Sequence, residues 1–282
     1  MGRAVSSSPR LSSPGPFRLV LSVLFFALRP AAAAEGEAQP AGMDLSKSLI
    51  AHYPFDKDAS DASGNGHDAV NHGAKPVAEG KLGGAFAFDG ARAYVAIPAK
   101  ATRGLTWFTV SLWARTMQSV GSPRSAFWAN PSLVGVTTGG WGSRDFGLMI
   151  ERGNAAYFHG LRTDPSDMSF FSETRVSDDR WHHIAFVSEG PRVLLYVDGA
   201  LARGEALWHR GDGTASLGVM SQTASGAALG NEEVFIGAAN EPPAPRFFYR
   251  GLIDDVRIWG RALSPDEIAS LCPKPAAPAK SP

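Results

Sequence analysis

The sequence predicts an all-β fold: a two-sheet antiparallel β-sandwich with one short helix near the C-terminal end. Three observations carry that prediction. The composition, with 31 Gly, 20 Pro, 16 Phe, 7 Trp and 5 Tyr in 282 residues, suits many short strands joined by tight turns. Apolar residues recur mostly with period two, as on a strand that buries one face. The alternating runs are bounded by Gly, Asp, Asn or Pro, the residues that turns demand. At 44% apolar content the chain can bury a sizeable core, which excludes disorder along its whole length.

From the N-terminus, Arg3, Arg10 and Arg18 precede the apolar run Leu19 to Leu28, and small residues follow at Ala31 to Ala34. That order is the order of a signal peptide over residues 1–34, cleaved near Ala34, and it predicts a secreted, periplasmic or cell-surface protein. The apolar run is far shorter than the roughly 20 residues that cross a bilayer, so no transmembrane segment is expected after cleavage. Loss of residues 1–34 leaves 23 Lys+Arg against 27 Asp+Glu, a net charge of −4, which argues against nucleic acid as a partner. Residues 35–46 are rich in Ala, Glu, Gly and Pro and read as a flexible leader. Residues 273–282, Pro/Ala-rich, read as a disordered tail. One domain, residues 47–272, lies between them. Its single cysteine, Cys272, has no partner for an internal disulfide, so the core holds the fold, alone or with a metal.

Within the domain, Phe108, Val110, Leu112 and Ala114 share one face of a strand, with Thr109, Ser111, Trp113 and Arg115 on the other. The same alternation runs through Phe146, Leu148 and Ile150, through Ile184 and Phe186, and through Val193, Leu195 and Val197, where Asp198-Gly199 signals a hairpin. About ten to thirteen such strands would make two stacked sheets. The helix is signalled by Ser264 as N-cap, Pro265 at N1 and Glu267 at N3, a capping box, with Leu263 and Ile268 placed for a hydrophobic staple. Two turns, Pro265 to Leu271, are stable only when docked, so Ile268 and Leu271 should pack on the sandwich.

Several stretches carry a resemblance. They are Leu49-Ile-Ala-His-Tyr-Pro-Phe-Asp56, Asp61-Ala-Ser-Gly-Asn-Gly-His-Asp68, Gly84-Ala-Phe-Ala-Phe-Asp-Gly90 and Phe108-Thr-Val-Ser-Leu-Trp113. Downstream come Trp181-His-His-Ile-Ala-Phe-Val187, Leu195-Tyr-Val-Asp-Gly199 and Gly251-Leu-Ile-Asp-Asp-Val-Arg-Ile-Trp259, leading into Arg261-Ala-Leu-Ser264. In that order the chain resembles the LamG-like jelly-roll domains of the concanavalin A-like lectin/glucanase superfamily. The resemblance implies the jelly-roll form of the sandwich. It leaves the ligand open, because the architecture hosts lectins, adhesion modules, carbohydrate-binding appendages and glycosidases alike.

Strand alternation puts Asp254 on the face of Leu252, Val256 and Ile258, so a carboxylate is expected in the core, with Asp255 facing solvent. A buried unpaired carboxylate costs several kcal/mol, so a metal or a cationic partner is expected beside it. Hard oxygen ligands favour calcium, and Asp61, Asn65 and Asp68 in a glycine-rich loop are the residues that would complete the set. The resemblance implies a structural calcium in this neighbourhood in many relatives. The other reading is that Asp254 pairs with an arginine or bonds amides of the Gly66 loop, while Asp61 and Asn65 shape a turn.

His182 and His183 point to opposite faces of a strand and do not chelate one ion; one should face solvent and the other sit satisfied in the core or at an edge. Retaining glycosidases need carboxylates about 5–5.5 Å apart, and no Glu-x-Asp-x-x-Glu run supplies them here. Asp178-Asp179 and Glu232-Glu233 are adjacent pairs whose side chains diverge, and Cys272 has no evident base. No catalytic residue is therefore assigned. Aromatics in Gly-rich loops are candidate ligand contacts: Trp128 and Trp141 with Arg144 in residues 118–144, and Trp208 in residues 205–230, with Phe127, Phe170, Phe171 and His209 in similar settings. Equally, these side chains cap the open ends of a sandwich. The expectation is a secreted non-catalytic recognition module for carbohydrate or a surface or matrix protein, holding a structural calcium. The alternatives are a glycoside hydrolase or polysaccharide lyase of this fold, and a structural component of an extracellular assembly.

Overall fold

In the computed structural model, which describes residues 44–122, 124–137, 145–160, 166–190, 192–210, 213–219 and 227–272, strands return antiparallel on their neighbours almost throughout. The predicted signal peptide, most of the leader, the tail, Trp141 and Arg144 lie outside the described residues.

The chain begins with β1 (Leu49–Tyr53), β2 (Val70–His72), β3 (Lys75–Val77), β4 (Ala85–Asp89), β5 (Tyr94–Ile97) and a one-turn helix, α1 (Ala99–Thr102). Then come β6 (Phe108–Arg115), a 3-10 segment (Arg124–Ala129), β7 (Ser132–Val136), β8 (Phe146–Glu151), β9 (Asn154–Gly160) and β10 (Asp167–Arg175). β11 (Trp181–Glu189), β12 (Arg192–Val197), β13 (Ala200–Leu201), β14 (Gly204–Arg210) and β15 (Gly213–Val219) follow. β16 (Val234–Ile236), β17 (Ala239–Asn240), β18 (Arg250–Trp259) and α2 (Pro265–Ser270) complete the order. The strands outnumber the expected ten to thirteen because β2, β3, β13, β16 and β17, at two or three residues each, are too short to show a period.

One sheet has eight strands, ordered β13-β12-β11-β6-β18-β4-β3 with β1 also on β18. The other has ten, ordered β15-β14-β10-β9-β8-β7-β16-β5-β2 with β17 on β7. Their inner faces meet in one core, to which β6 sends Phe108, Val110, Leu112 and Ala114 as its alternation requires. At its centre Phe186 of β11 lies 5.6 Å from the Phe108 ring, 4.6 Å from Phe146 of β8 and 5.2 Å from Tyr157 of β9, so one ring joins the two sheets. Burying a side chain of that kind stabilises the fold by about 1.5–3 kcal/mol.

The helix α2 forms as its sequence dictates. Ser264 Oγ accepts from the Glu267 amide, the Ser264 amide donates to the Glu267 carboxylate, and Pro265 occupies the first turn. Ile268 and Leu271 pack with Leu263 on Ala185, Val187, Tyr196 and Trp259, on the outward face of the eight-stranded sheet. Residues 44–46, expected to lie in the leader, are tied to this cluster. Trp259 Nε1 donates to the Leu45 carbonyl at 2.8 Å and Leu45 joins that cluster, so residues 44–46 belong to the domain.

Strand β18 departs from simple alternation. Its register on β6 shifts between Asp254 and Arg257, and Asp255 takes a positive φ of 50°. One residue is thereby inserted, so Ile253, Val256 and Ile258 enter the core while Leu252 and Asp254 stay on the outward face. The expectation that Asp254 enters the core with Leu252, Val256 and Ile258 fails for this reason. Asp255 is buried, not solvent-facing: its Oδ1 accepts from His52 at 2.7 Å and from Arg257 at 2.9 Å. Burial pushes the Asp255 carboxyl up, but His52 and Arg257 outweigh it and hold it below the usual carboxylate range.

Candidate functional site

The outward face of the eight-stranded sheet falls into three parts. At one end α2 covers it. Across the middle runs the loop 79–84, held at its centre and its C-terminal end by carboxylates: Asp254 Oδ2 accepts the Lys81 and Leu82 amides at 2.6 and 2.8 Å, and Asp56 Oδ1 accepts the Gly84 amide at 2.6 Å. Beneath the loop the Lys81 ammonium stands 4.6 Å from the centre of the Trp113 ring. At the far end lies an open groove of about 1120 Å³, lined by Val77 and Glu79, by Asp89 and Gly90, by residues 115–120 and Asp179, and by Arg250, Gly251 and Leu252.

Local chemistry fixes the walls of this groove. A Cβ on Gly251 would lie 2.4 Å from the Arg115 carbonyl oxygen, so glycine alone lets β6 and β18 approach so closely. Thr116 Oγ1 donates to the Arg250 carbonyl at 2.6 Å, and the Arg250 amide donates to Gln118 Oε1 at 2.8 Å, stitching residues 116–118 to β18. Arg115 is committed to Asp179 through a two-pronged contact, Nε to Oδ1 at 3.0 Å and Nη2 to Oδ2 at 3.1 Å. Asp89 accepts the Ala91, Arg92 and Ala93 amides; those backbone bonds, Arg92 and Ala93 foremost, hold its carboxyl down to about 2. Among the described residues Arg250 and Glu79 are left as groove charges with no side-chain partner. Met117 and Val120 stand 66% and 59% exposed on the rim. The groove thus offers a donor fork, a carboxylate and exposed apolar surface on a backbone tied down on two sides, which suits a polyhydroxylated ligand with apolar C–H faces.

The predicted metal set is not gathered at one point. Asp61 accepts the His52, Ser63 and His67 amides, Asn65 Nδ2 donates to the Leu49 and Ile50 carbonyls, and Asp68 Oδ1 accepts the Asp61 amide. These three side chains lock the loop 61–68 onto β1, as the turn-shaping reading expects. Asp254 bonds amides too, but those of the loop 79–84 and not of the Gly66 loop. Burial pushes its carboxyl up to about 6, the two amides notwithstanding, and its Oδ1 is buried without a hydrogen bond. Of the four predicted ligands, Asp254 is the one with a buried oxygen left without a hydrogen bond. Among the described residues no group of three His, Cys, Asp or Glu side chains is arranged to hold a metal.

Of the predicted ligand aromatics, Trp128 and Trp208 lie among the described residues, and each makes contacts within the domain. Trp128 is half-buried, edge-on to Phe127 at 5.1 Å, over Met149, Phe158 and Phe171 on the outward face of the ten-stranded sheet. Trp208 donates Nε1 to Ser166 Oγ at 2.9 Å and carries the Arg210 guanidinium 4.0 Å above its ring. Phe170, Phe171, Trp208 and His209 lie on β10 and β14 and not in loops; the alternation of these strands is masked because both faces are covered. His182 is clamped between Asp198 at 2.7 Å and Asp178 at 3.0 Å, hydrogen bonds that hold its pKa above the ordinary value against burial, so it does not face solvent. His183 is buried against Trp113, and its Nδ1 has no hydrogen bond, contrary to the expectation of a satisfied imidazole. Sequence reasoning missed Arg250, Glu79, Met117 and Gln118, which only the pairing of β18 with β6 and β4 brings together.

Residues 89–269, more than half of the chain, match Laminin_G_3, the concanavalin A-like lectin/glucanases superfamily. The chain belongs to this superfamily. Its fold is shared by domain 4 of AbnA, a GH43 extracellular arabinanase from Geobacillus stearothermophilus, solved in complex with arabinotriose; the TM-score is 0.55 at 22% identity, covering 80% of this chain and 98% of that one. It is shared as well by the binding domain of Paraclostridial Mosquitocidal Protein 1, with TM-score 0.56, 17% identity and coverage of 81% and 52%. The receptor binding domain of botulinum neurotoxin D follows, with TM-score 0.51, 13% identity and coverage of 80% and 52%. The chain therefore spans about half the length of those two toxin structures. No curated protein matches its sequence.

Proposed function

We propose that this superfamily member is a non-catalytic recognition module, exported from the cell, that binds an oligosaccharide in the groove beside the loop 79–84. The observation that carries the reading is the pairing of unengaged Arg250 and Glu79 with exposed Met117 and Val120 in one open groove. Arg250 would donate to ring hydroxyls and Glu79 accept from them, while Met117 and Val120 meet the C–H faces. Because the Thr116, Gln118 and Arg115 contacts already order the backbone of the wall, binding need order only the Arg250, Glu79 and Met117 side chains. The fold shared with a domain solved around arabinotriose supports a glycan as the ligand.

A structural calcium stays within this proposal in reduced form, at Asp254 Oδ1, supported by that buried oxygen without a partner. The residues Asp61, Asn65 and Asp68 are engaged elsewhere. Anchoring Asp254 would steady the loop 79–84 that presents Glu79 to the groove.

The test is a glycan array on the full chain, followed by calorimetry on the best saccharide and an assay for released reducing ends. Saturable binding without cleavage supports the reading. Cleavage would make the protein a glycoside hydrolase or lyase, and capture of proteins with no saccharide bound would make it a protein-binding module.

A further inference from the structure

The floor of the groove continues under the loop 79–84. Leu252 and Arg115, which line the groove, are cross-strand partners, and Trp181 pairs with Arg115 on the next strand. One pleat repeat along, about 7 Å, the same three strands present Asp254, Trp113 and His183 as partners on the same outward face. The loop lies across this second row, its amides on Asp254 and the Lys81 ammonium over the Trp113 ring.

Each residue of the covered row has a buried polar atom without a hydrogen bond: Asp254 Oδ1, Trp113 Nε1 and His183 Nδ1. Trp113 and His183 are only 4% and 2% exposed, so water does not reach them freely. Such groups are costly to leave unpaired. A cation at Asp254 answers an acceptor, but an indole N–H only donates and needs an oxygen. The cover, meanwhile, is light. None of residues 79–83 is buried, so the loop is held by its bonds to Asp254 and Asp56 and by the contact of Lys81 with Trp113, not by apolar packing. A Cβ on Gly80 would lie 1.9 Å from the Gly84 carbonyl oxygen, so the two ends of the turn touch and glycine stands at both pivots.

We infer that the row Asp254, Trp113 and His183 is a covered extension of the groove, which takes the next ring of an oligosaccharide when the loop 79–84 lifts. The inference rests on the saccharide reading of the groove. That ring stacks a C–H face on Trp113 in place of the Lys81 ammonium. Its hydroxyls, donor and acceptor at once, pair with Trp113 Nε1 and His183 Nδ1 and replace the loop amides at Asp254 Oδ2. Water under a closed loop would serve the same atoms, so the experiment reads whether the loop moves.

Hydrogen exchange of the full chain, followed by amide NMR, is measured alone and with a di- and a hexasaccharide of the homopolymer bound tightest on the glycan array. In the free protein the Lys81 and Leu82 amides, bonded to Asp254, are expected to be protected yet to exchange faster than the β6 amides beneath them. Saturating hexasaccharide should abolish their protection, and the disaccharide should leave it. Lys81→Ala, at an exposed position, should tighten the hexasaccharide about threefold relative to the disaccharide, the effect of removing one exposed cation–π contact. Exchange of the two amides no faster than β6, protection that persists under bound hexasaccharide, or no relative gain in Lys81→Ala would overturn the inference and leave the open groove as the saccharide site. No saccharide binding at all would overturn it together with the reading it rests on.

Discussion

Replacing Glu267 by glutamine tests how α2 and the first residues of the domain are clasped to the sheet. Glu267 Oε1 accepts from Arg261 Nη2 at 2.7 Å and Oε2 from Arg261 Nη1 at 2.9 Å, while the Ser264 amide donates to Oε2 at 2.8 Å. Arg261, with these contacts, holds the carboxyl down to about 2 from an ordinary 4.5, against the opposing pull of burial. Because the folded value lies below the unfolded one, the stabilisation is complete above pH 4.5 and is lost as pH falls towards 2. That gap sets a ceiling of about 3 kcal/mol; partial exposure and screening reduce the working value to about 1–2 kcal/mol. Arg261 also donates to the Lys47 and Asp44 carbonyls, so the loosening should reach residues 44–47. Urea unfolding at neutral pH should show Glu267→Gln less stable by that amount, and the gap should shrink as pH drops from 4.5 towards 2. A gap that does not vary with pH, or no gap at neutral pH, would refute the argument.

Further outcomes follow from the same structure. Phe186→Ala should cost about 3–5 kcal/mol by chemical denaturation, since the ring bridges both sheets; a loss under about 1 kcal/mol would mean the sheets do not meet there. Burial pushes His159, His183 and His209 down to about 4 from 6.5, so these rings stay neutral in the fold while the unfolded chain protonates. Acidification from pH 6.5 to 4 should therefore lower the melting temperature, and NMR titration midpoints near 6.5 for these rings would contradict that. Chelation with EDTA should lower the melting temperature of the natural protein and leave Asp254→Ala unaffected, whereas an identical curve with and without EDTA would remove calcium from the account.

The core was legible because burial and period coincide. Phe108, Val110, Leu112 and Ala114 alternate inward as read, and the capping box at Ser264 forms with its partners as read. The position of Asp254 was not legible, because a one-residue bulge at a non-glycine residue leaves no mark in the alternation and reverses every face before it. The aromatic residues of β10 and β14 misled for a related reason. Segment 124–129 covers the outer face of these strands, so Phe170 inward and Phe171 outward are both buried, and the apolar run loses its period. The groove depends on cross-strand register, which brings Arg250 beside Asp89 and Leu252 beside Arg115; no local spacing encodes such neighbours.

The central claim, that saccharide is held in the groove between the loop 79–84 and residues 115–120, is tested most directly by calorimetry of Arg250→Ala beside the natural protein on the best saccharide from the array. The account predicts about tenfold weaker binding at an unchanged melting temperature, as expected when a charged hydrogen-bond donor is removed from an exposed site. Equal affinity of the two proteins would place the ligand elsewhere on the molecule and contradict the account.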